Sequence, residues 1–167
     1  MAPAFACLCA CANAPAAAQT AAPGAPVALG IHHLKFVVAD LEKSRAFYEA
    51  AFGTKTAMDH RKPDGTLFAY ILSFPGLGTE LEIRLDPAAA KSQKGLDPIT
   101  LTVDGPADLE KWRAHFQAKN LPHSPVLAGL VGWLIVVEDP DGRRLRLYTK
   151  QTHGPEVKPS WDSPWIN

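Results

Sequence analysis

An eleven-residue stretch of this chain occurs twice. Asp40-Leu41-Glu42-Lys43-Ser44-Arg45-Ala46-Phe47-Tyr48-Glu49-Ala50 returns 68 residues later as Asp108-Leu109-Glu110-Lys111-Trp112-Arg113-Ala114-His115-Phe116-Gln117-Ala118, with seven positions identical. A duplication limits the fold strongly. Whatever unit one copy builds, the chain builds twice, and a unit this small buries its apolar face best against its neighbour.

Each copy follows a run with strand character, Leu34 to Val38 before the first and Ile99 to Val103 before the second. The repeated stretches should be helices. Asp40 and Asp108 suit N-caps, because a carboxylate accepts from the open N–H groups of the first turn, and acidic residues follow where the helix dipole favours them. Leu41, Ala46 or the stem of Arg45, Tyr48 and Phe52 recur at helical spacing, as do Leu109, Trp112, the stem of Arg113 and Phe116. Gly53 should end the first helix and Asn120 the second.

Three strand-like runs follow the first helix, Thr54 to His60, Leu67 to Ser73 and Thr79 to Leu85. Turns at Pro63-Asp64-Gly65 and Pro75-Gly76-Leu77-Gly78 separate them. After the second helix come a Pro-interrupted run at 121–127, then Trp133 to Glu138 and Leu145 to Lys150, with Asp139-Pro140-Asp141-Gly142 as the last turn. The order is βαβββ twice, with modules at about 31–86 and 97–150 and a polar linker at 87–96. Short helices covering a small mixed sheet make an α+β fold.

The first thirty residues carry none of the 17 basic and 17 acidic residues. They form an Ala/Pro leader holding all three cysteines, Cys7, Cys9 and Cys11, so the modules have neither a disulfide nor a thiolate of their own. Ala16-Ala17-Ala18 offers an A-x-A cleavage pattern, although a basic n-region is missing. Three readings stay open: an export signal, a lipoprotein leader cleaved before Cys11, and a disordered tail in a cytoplasmic protein. The first two place the mature chain in the periplasm or outside the cell. A net charge of zero gives no electrostatic reason to expect nucleic acid as a partner. No segment after the leader approaches the roughly 18 apolar residues of a membrane span.

The stretch from His33 to Tyr48, followed by Phe52-Gly53, resembles the first strand and helix of the vicinal oxygen chelate superfamily, the glyoxalase, bleomycin-resistance and extradiol-dioxygenase group. Glu138 to Leu147 resembles its last hairpin. The resemblance spans about 31–148. It implies that the two modules curve their sheets into a cup that holds a small molecule, often through a divalent metal. Metal-dependent members draw their ligands from the first and fourth strand of each module.

On this sequence the resemblance puts His33 at the first ligand position and Glu82 at the second, with Glu82 preferred to Glu80. Leu81, Ile83 and Leu85 should face the helix and turn Glu80, Glu82 and Arg84 inward. The same positions of module two are Pro98, which has no donor atom in its side chain, and Arg146, a permanent cation. Two protein ligands hold a transition metal poorly, since catalytic sites use three. A divalent metal is therefore disfavoured, unless His60, His123 or Glu80 completes a shifted site. Arg146 instead offers itself as the cationic partner of a buried Glu82.

Lys35, Arg84, Arg144, Arg146 and Tyr148 share the inward parity, as does Thr100 behind Pro98. Lys35, Arg84 and Arg146 together suit a small anionic ligand, unless the long side chains snorkel to water at the rim. His33 and Glu82 could also exchange protons without a metal. Two function classes follow: a protein that binds a small, anionic molecule without chemistry, and a metal-dependent lyase, isomerase or dioxygenase of glyoxalase type. An interaction module with a vestigial cup is a third. The modules pair within one chain or swap in a homodimer. Trp161 and Trp165 should anchor the tail, 151–167, to the body, to a second subunit or over the cup as a lid.

Overall fold

The computed structural model describes residues 30–166 together with Pro26 and Ala28. The leader's cysteines and its cleavage pattern lie outside the described residues. Residues 31–167 form one unit, whose elements follow the duplicated order.

Module one comprises β1 (His33–Val38), α1 (Leu41–Phe52), β2 (Lys55–Arg61), β3 (Leu67–Ser73) and β4 (Glu80–Leu85). Its four-stranded sheet has the order β1-β4-β3-β2, with β1 parallel to β4. After α2 (Pro87–Lys91), module two comprises β5 (Ile99–Val103), α3 (Pro106–Ala118), β6 (Leu127–Ala128), β7 (Gly132–Glu138) and β8 (Arg144–Thr152). Its sheet runs β5-β8-β7-β6, with β5 parallel to β8. The two sheets have the same topology, as the duplication requires. Among the described residues no helix is long and apolar enough to cross a membrane.

Helix α1 starts and stops as its sequence dictates. The Asp40 carboxylate accepts from Lys43 N–H at 2.9 Å, and Gly53 closes the helix at φ 67°, where only glycine is unstrained. Its buried face differs from the expected one. Ser44 and Phe47 are buried beside Leu41, Tyr48 and Phe52, while Ala46 is exposed. Helix α3 starts earlier than expected. Gly105 is its N-cap and Pro106 its first residue, a position where proline's missing N–H costs nothing. Asp108 then sits at N3 and its carboxylate accepts from Gly105 N–H at 3.4 Å, the returning half of a capping box. Asn120 follows the helix at φ 53°.

Two further expectations change. Residues 87–91 of the linker are helical, because Asp86 caps Ala89 N–H at 2.9 Å and Pro87 fixes the first turn. The run at 121–127 yields only β6, since Pro122 and Pro125 remove ladder donors. His123 keeps an isolated bridge to Val137.

Both helices pack into one core. Phe36, Tyr48, Phe52, Leu81 and Ile83 of module one join Leu109, Phe116, Ile135, Val137, Leu145 and Leu147 of module two. The Phe52 ring lies 5.9 Å from Trp112 and 6.2 Å from Phe116. A second bond between modules is polar and buried. Arg143, 0% exposed, donates from Nε to Asp139 Oδ2 at 2.8 Å, from Nη1 to Val37 O at 2.5 Å and to Gln93 Oε1 at 2.8 Å. Tyr48 Oη donates to Asp139 Oδ2 at 2.7 Å. The Asp139 turn of module two is thus tied to the first strand and helix of module one.

Candidate functional site

Glu82 sits in the middle of β4, with Leu81 and Ile83 turned into the core. Alternation points its side chain to the opposite face, where it is only 7% exposed. A carboxylate at that depth needs partners, and two are present. Arg84, two residues along the same face, donates to Oε1 from Nε at 2.7 Å and from Nη2 at 2.6 Å. His33 Nε2 lies 3.3 Å from Oε2. His33 Nδ1 is in turn 2.8 Å from His32 Nδ1. One tautomer set satisfies both contacts: His32 donates to His33 Nδ1, and His33 donates from Nε2 to Glu82. The Arg84 guanidinium lies 4.9 Å from the centre of the Phe68 ring.

His33 and Glu82 therefore meet, as the sequence suggests. Lys35 shares their face, in register with Glu82 on the neighbouring strand, and is exposed. Glu80 is also exposed, in register with His33.

Arg146 does not pair with Glu82, which corrects that expectation. It forms an ion pair with Asp97, and its Nη2 donates to Ile166 O at 3.2 Å. The reason is local. Strand β5 lies beside β8 with Thr100 opposite Arg146, and Arg144 N–H bonds Leu96 O at 2.8 Å, so the residues just before β5 reach Arg146 first. Burial raises the Asp97 carboxyl above its ordinary range, an effect that Arg146 and Arg144 partly offset. Asp97 is the site residue that sequence reading missed. The signal was there, a carboxylate next to Pro98, two positions before the predicted strand. Thr100 is exposed. Tyr148 is half-buried on β8, and its Oη accepts from Val131 and Gly132 N–H, both at 3.2 Å.

The donor set does not fit a divalent metal. His33 Nε2 and Glu82 Oε2 are close enough to share an ion, but the guanidinium of Arg84 holds the other carboxylate oxygen and repels a second cation. Pro98 and Arg146 offer nothing from module two. His123 Nδ1 is 2.7 Å from Leu121 O and its ring packs 6.0 Å from Phe116, so it points elsewhere. His60 is exposed on β2. Among the described residues no three His, Cys, Asp or Glu side chains converge as a metal would need.

A twice-built βαβββ unit, with polar side chains on the sheet face opposite the helices, defines a glyoxalase-like α+β fold. The chain belongs to the Glyoxalase/Bleomycin resistance protein/Dioxygenase superfamily, whose family model matches residues 30–147. It is 27% identical over 124 residues to a putative ring-cleaving dioxygenase, MhqA, of Bacillus subtilis strain 168. That match covers 71% of this chain and only 39% of the relative's length. Among solved structures it resembles a glyoxylase/bleomycin resistance protein/dioxygenase domain from Frankia (TM-score 0.61, 20% identity, 75% of this chain and 100% of that one). It also resembles the fosfomycin resistance protein FosX from Listeria monocytogenes, solved with Mn(II) (TM-score 0.62, 17% identity, 75% and 95%). Lactoylglutathione lyase from Agrobacterium tumefaciens is a third (TM-score 0.57, 18% identity, 74% and 95%). At these identities the structures speak for the fold.

Proposed function

We propose that this chain binds a small organic molecule on the concave faces of its sheets and does so without a divalent metal. One observation carries the reading. Both Glu82 oxygens are taken by side chains of the protein, Arg84 and His33, while Arg146 stands at the corresponding place in module two and is closed by Asp97. The charges expected to attract an anion are largely neutralised within the protein. Lys35, unlike Arg84 and Arg146, has no ion-pair partner among the described residues. An anionic ligand thus rests on Lys35, and the reading does not require one.

A second reading is favoured by the 3.3 Å approach of His33 to Glu82. Such a pair can move a proton to or from a bound substrate near neutral pH. A metal-dependent lyase, isomerase or dioxygenase is the alternative that the relatives suggest. We also read the charge-free leader as an export signal and the functional unit as a homodimer. Cell fractionation and light scattering address those two points.

The test is metal uptake by untagged protein dialysed against Zn, Mn, Ni or Fe. The expected result is well below one equivalent of any of them. Stoichiometric metal that is lost in His33→Ala or Glu82→Gln would overturn the reading and restore the metal enzyme.

A further inference from the structure

The family match ends at residue 147, yet residues beyond it fold back over module two. Ser160 N–H donates to Ala128 O on the edge strand β6 at 2.9 Å, and Ala128 N–H donates to Ser160 Oγ at 3.2 Å. Trp165 and Ile166 then pack, with Tyr148, on Leu127, Leu134 and Val136. The face they cover is the one turned away from the shared core, since it carries Arg146 and Tyr148 while Leu145 and Leu147 point into that core. The tail does not fill the face. A cavity of about 240 Å³ remains, lined by Leu130, Leu134, Arg146, Tyr148, Trp161 and Ile166.

The walls are mostly apolar, and the tyrosine hydroxyl and the guanidinium among them have partners within the protein. Tyr148 Oη already accepts two backbone N–H groups. Arg146 has Asp97 as counter-ion and donates to the tail's own carbonyl at Ile166. An anion entering here would have to displace Asp97, and a cation would meet Arg146. An uncharged ligand disturbs neither. The size sets the other limit: an apolar cavity of roughly 150 Å³ accepts a benzene, so this one has room for one or two rings. Trp161, Tyr148 and the branched side chains of Leu134 and Ile166 offer flat and apolar contacts to such a molecule.

We propose that this cavity is a seat for an uncharged, flat molecule of one or two aromatic rings, with the C-terminal tail as one wall. The proposal rests on the reading of the chain as a small-molecule binder, and assigns the seat to module two and its tail rather than to His33 and Glu82.

The experiment is calorimetric titration of the full chain with indole and naphthalen-2-ol, and with indole-3-carboxylate as a charged analogue of the same shape. Two substitutions probe the wall at exposed positions where the fold tolerates change: Trp161→Ala (55% exposed) and Leu130→Asp (69% exposed). Met58→Ala, at an apolar position of module one that is 54% exposed, serves as control. The expected result is binding of an uncharged probe, weakened about tenfold or more by the carboxylate and by either wall substitution, and unchanged in Met58→Ala. Absence of binding by both uncharged probes overturns the seat, as does equal binding of the carboxylate or binding that survives both wall substitutions. Metal uptake at His33 and Glu82 with indole binding intact sinks the metal-free reading and leaves the seat standing. Loss of indole binding with no metal uptake does the reverse.

Discussion

In module one the sheet face turned away from the helices is open and polar, with exposed His33 and Lys35 around a buried, ion-paired Glu82. In module two the same face is largely covered by the chain's own tail, and its Arg146 is closed by Asp97. On the side facing the helices the modules match: Tyr48 and Phe52 of α1 and Leu109 and Phe116 of α3 enter one core. The difference teaches which face the fold constrains. A shared core tolerates little change in volume, so the duplicated pattern survives there. The opposite face carries no part of that shared core, and its central residue is a carboxylate in one copy and a cation in the other.

The largest effect should come from the polar bond between modules. Arg143→Ala leaves Asp139, itself 4% exposed, without its cation, and breaking a buried pair in this way costs about 3–5 kcal/mol. Urea unfolding should show that loss, and Arg143→Lys should recover part of it. A loss below about 1 kcal/mol would mean that the modules are held by the apolar core alone.

Tyr48 sharpens the same contrast through pH. Burial and the neighbouring Asp139 carboxylate push its hydroxyl well above the ordinary value near 10. The folded chain therefore keeps this proton at pH values where the unfolded chain has lost it. Stability should fall as pH rises above about 10, with a slope approaching 1.4 kcal/mol per pH unit from this group. Tyr48→Phe should remove that part of the slope. An unchanged alkaline profile would mean that Tyr48 is not held protonated by the Asp139 network.

In module one, Arg84→Ala removes the donor to Glu82 Oε1. Arg84 is about a third exposed, so water replaces part of what is lost, and the cost should be about 1–2 kcal/mol. Glu82→Gln in the same background should restore most of it, because a neutral amide needs no cation. Thermal unfolding of the unaltered chain and the two variants measures this. If the double variant is as unstable as Arg84→Ala, Glu82 is not the group that Arg84 serves.

Much of the frame is legible in the sequence, and the reason is physical. Local rules govern Asp40 as a cap, Gly53 as a stop and the Leu81/Ile83 alternation around Glu82, and the structure obeys them. The start of α3 was less legible because Gly105-Pro106 and Asp108 both make acceptable helix starts, and proline at the first position decided between them. His33 and Glu82 could be brought together because the family pattern puts both in one small sheet. The partner of Arg146 could not. It depends on how closely residues 96–97 approach β8 when β5 pairs with it, a tertiary distance that no periodicity encodes. The same holds for Arg143, which follows the Asp139 turn in the sequence and is fully buried by contacts with module one.

The smallest effect tests that last point. If Arg146 serves Asp97 and not Glu82, the two carboxylates should answer differently to its removal. Arg146→Ala and Asp97→Asn are half-buried partners, so their double-mutant cycle should show a coupling of about 0.5–1 kcal/mol. Arg146 and Glu82 share no partner among the described residues, and the effects of Arg146→Ala and Glu82→Gln should add within about 0.3–0.5 kcal/mol. The acid limb gives an independent reading. With its carboxyl raised by burial, Asp97 binds a proton more readily in the folded chain than in the unfolded one. It therefore weakens the fold as pH rises from the ordinary value of 3.8 through its raised value, and Asp97→Asn should flatten that limb. Coupling to Glu82 instead would mean that the two concave faces meet closely enough for Arg146 to serve both, and the two modules would then form one charged cup.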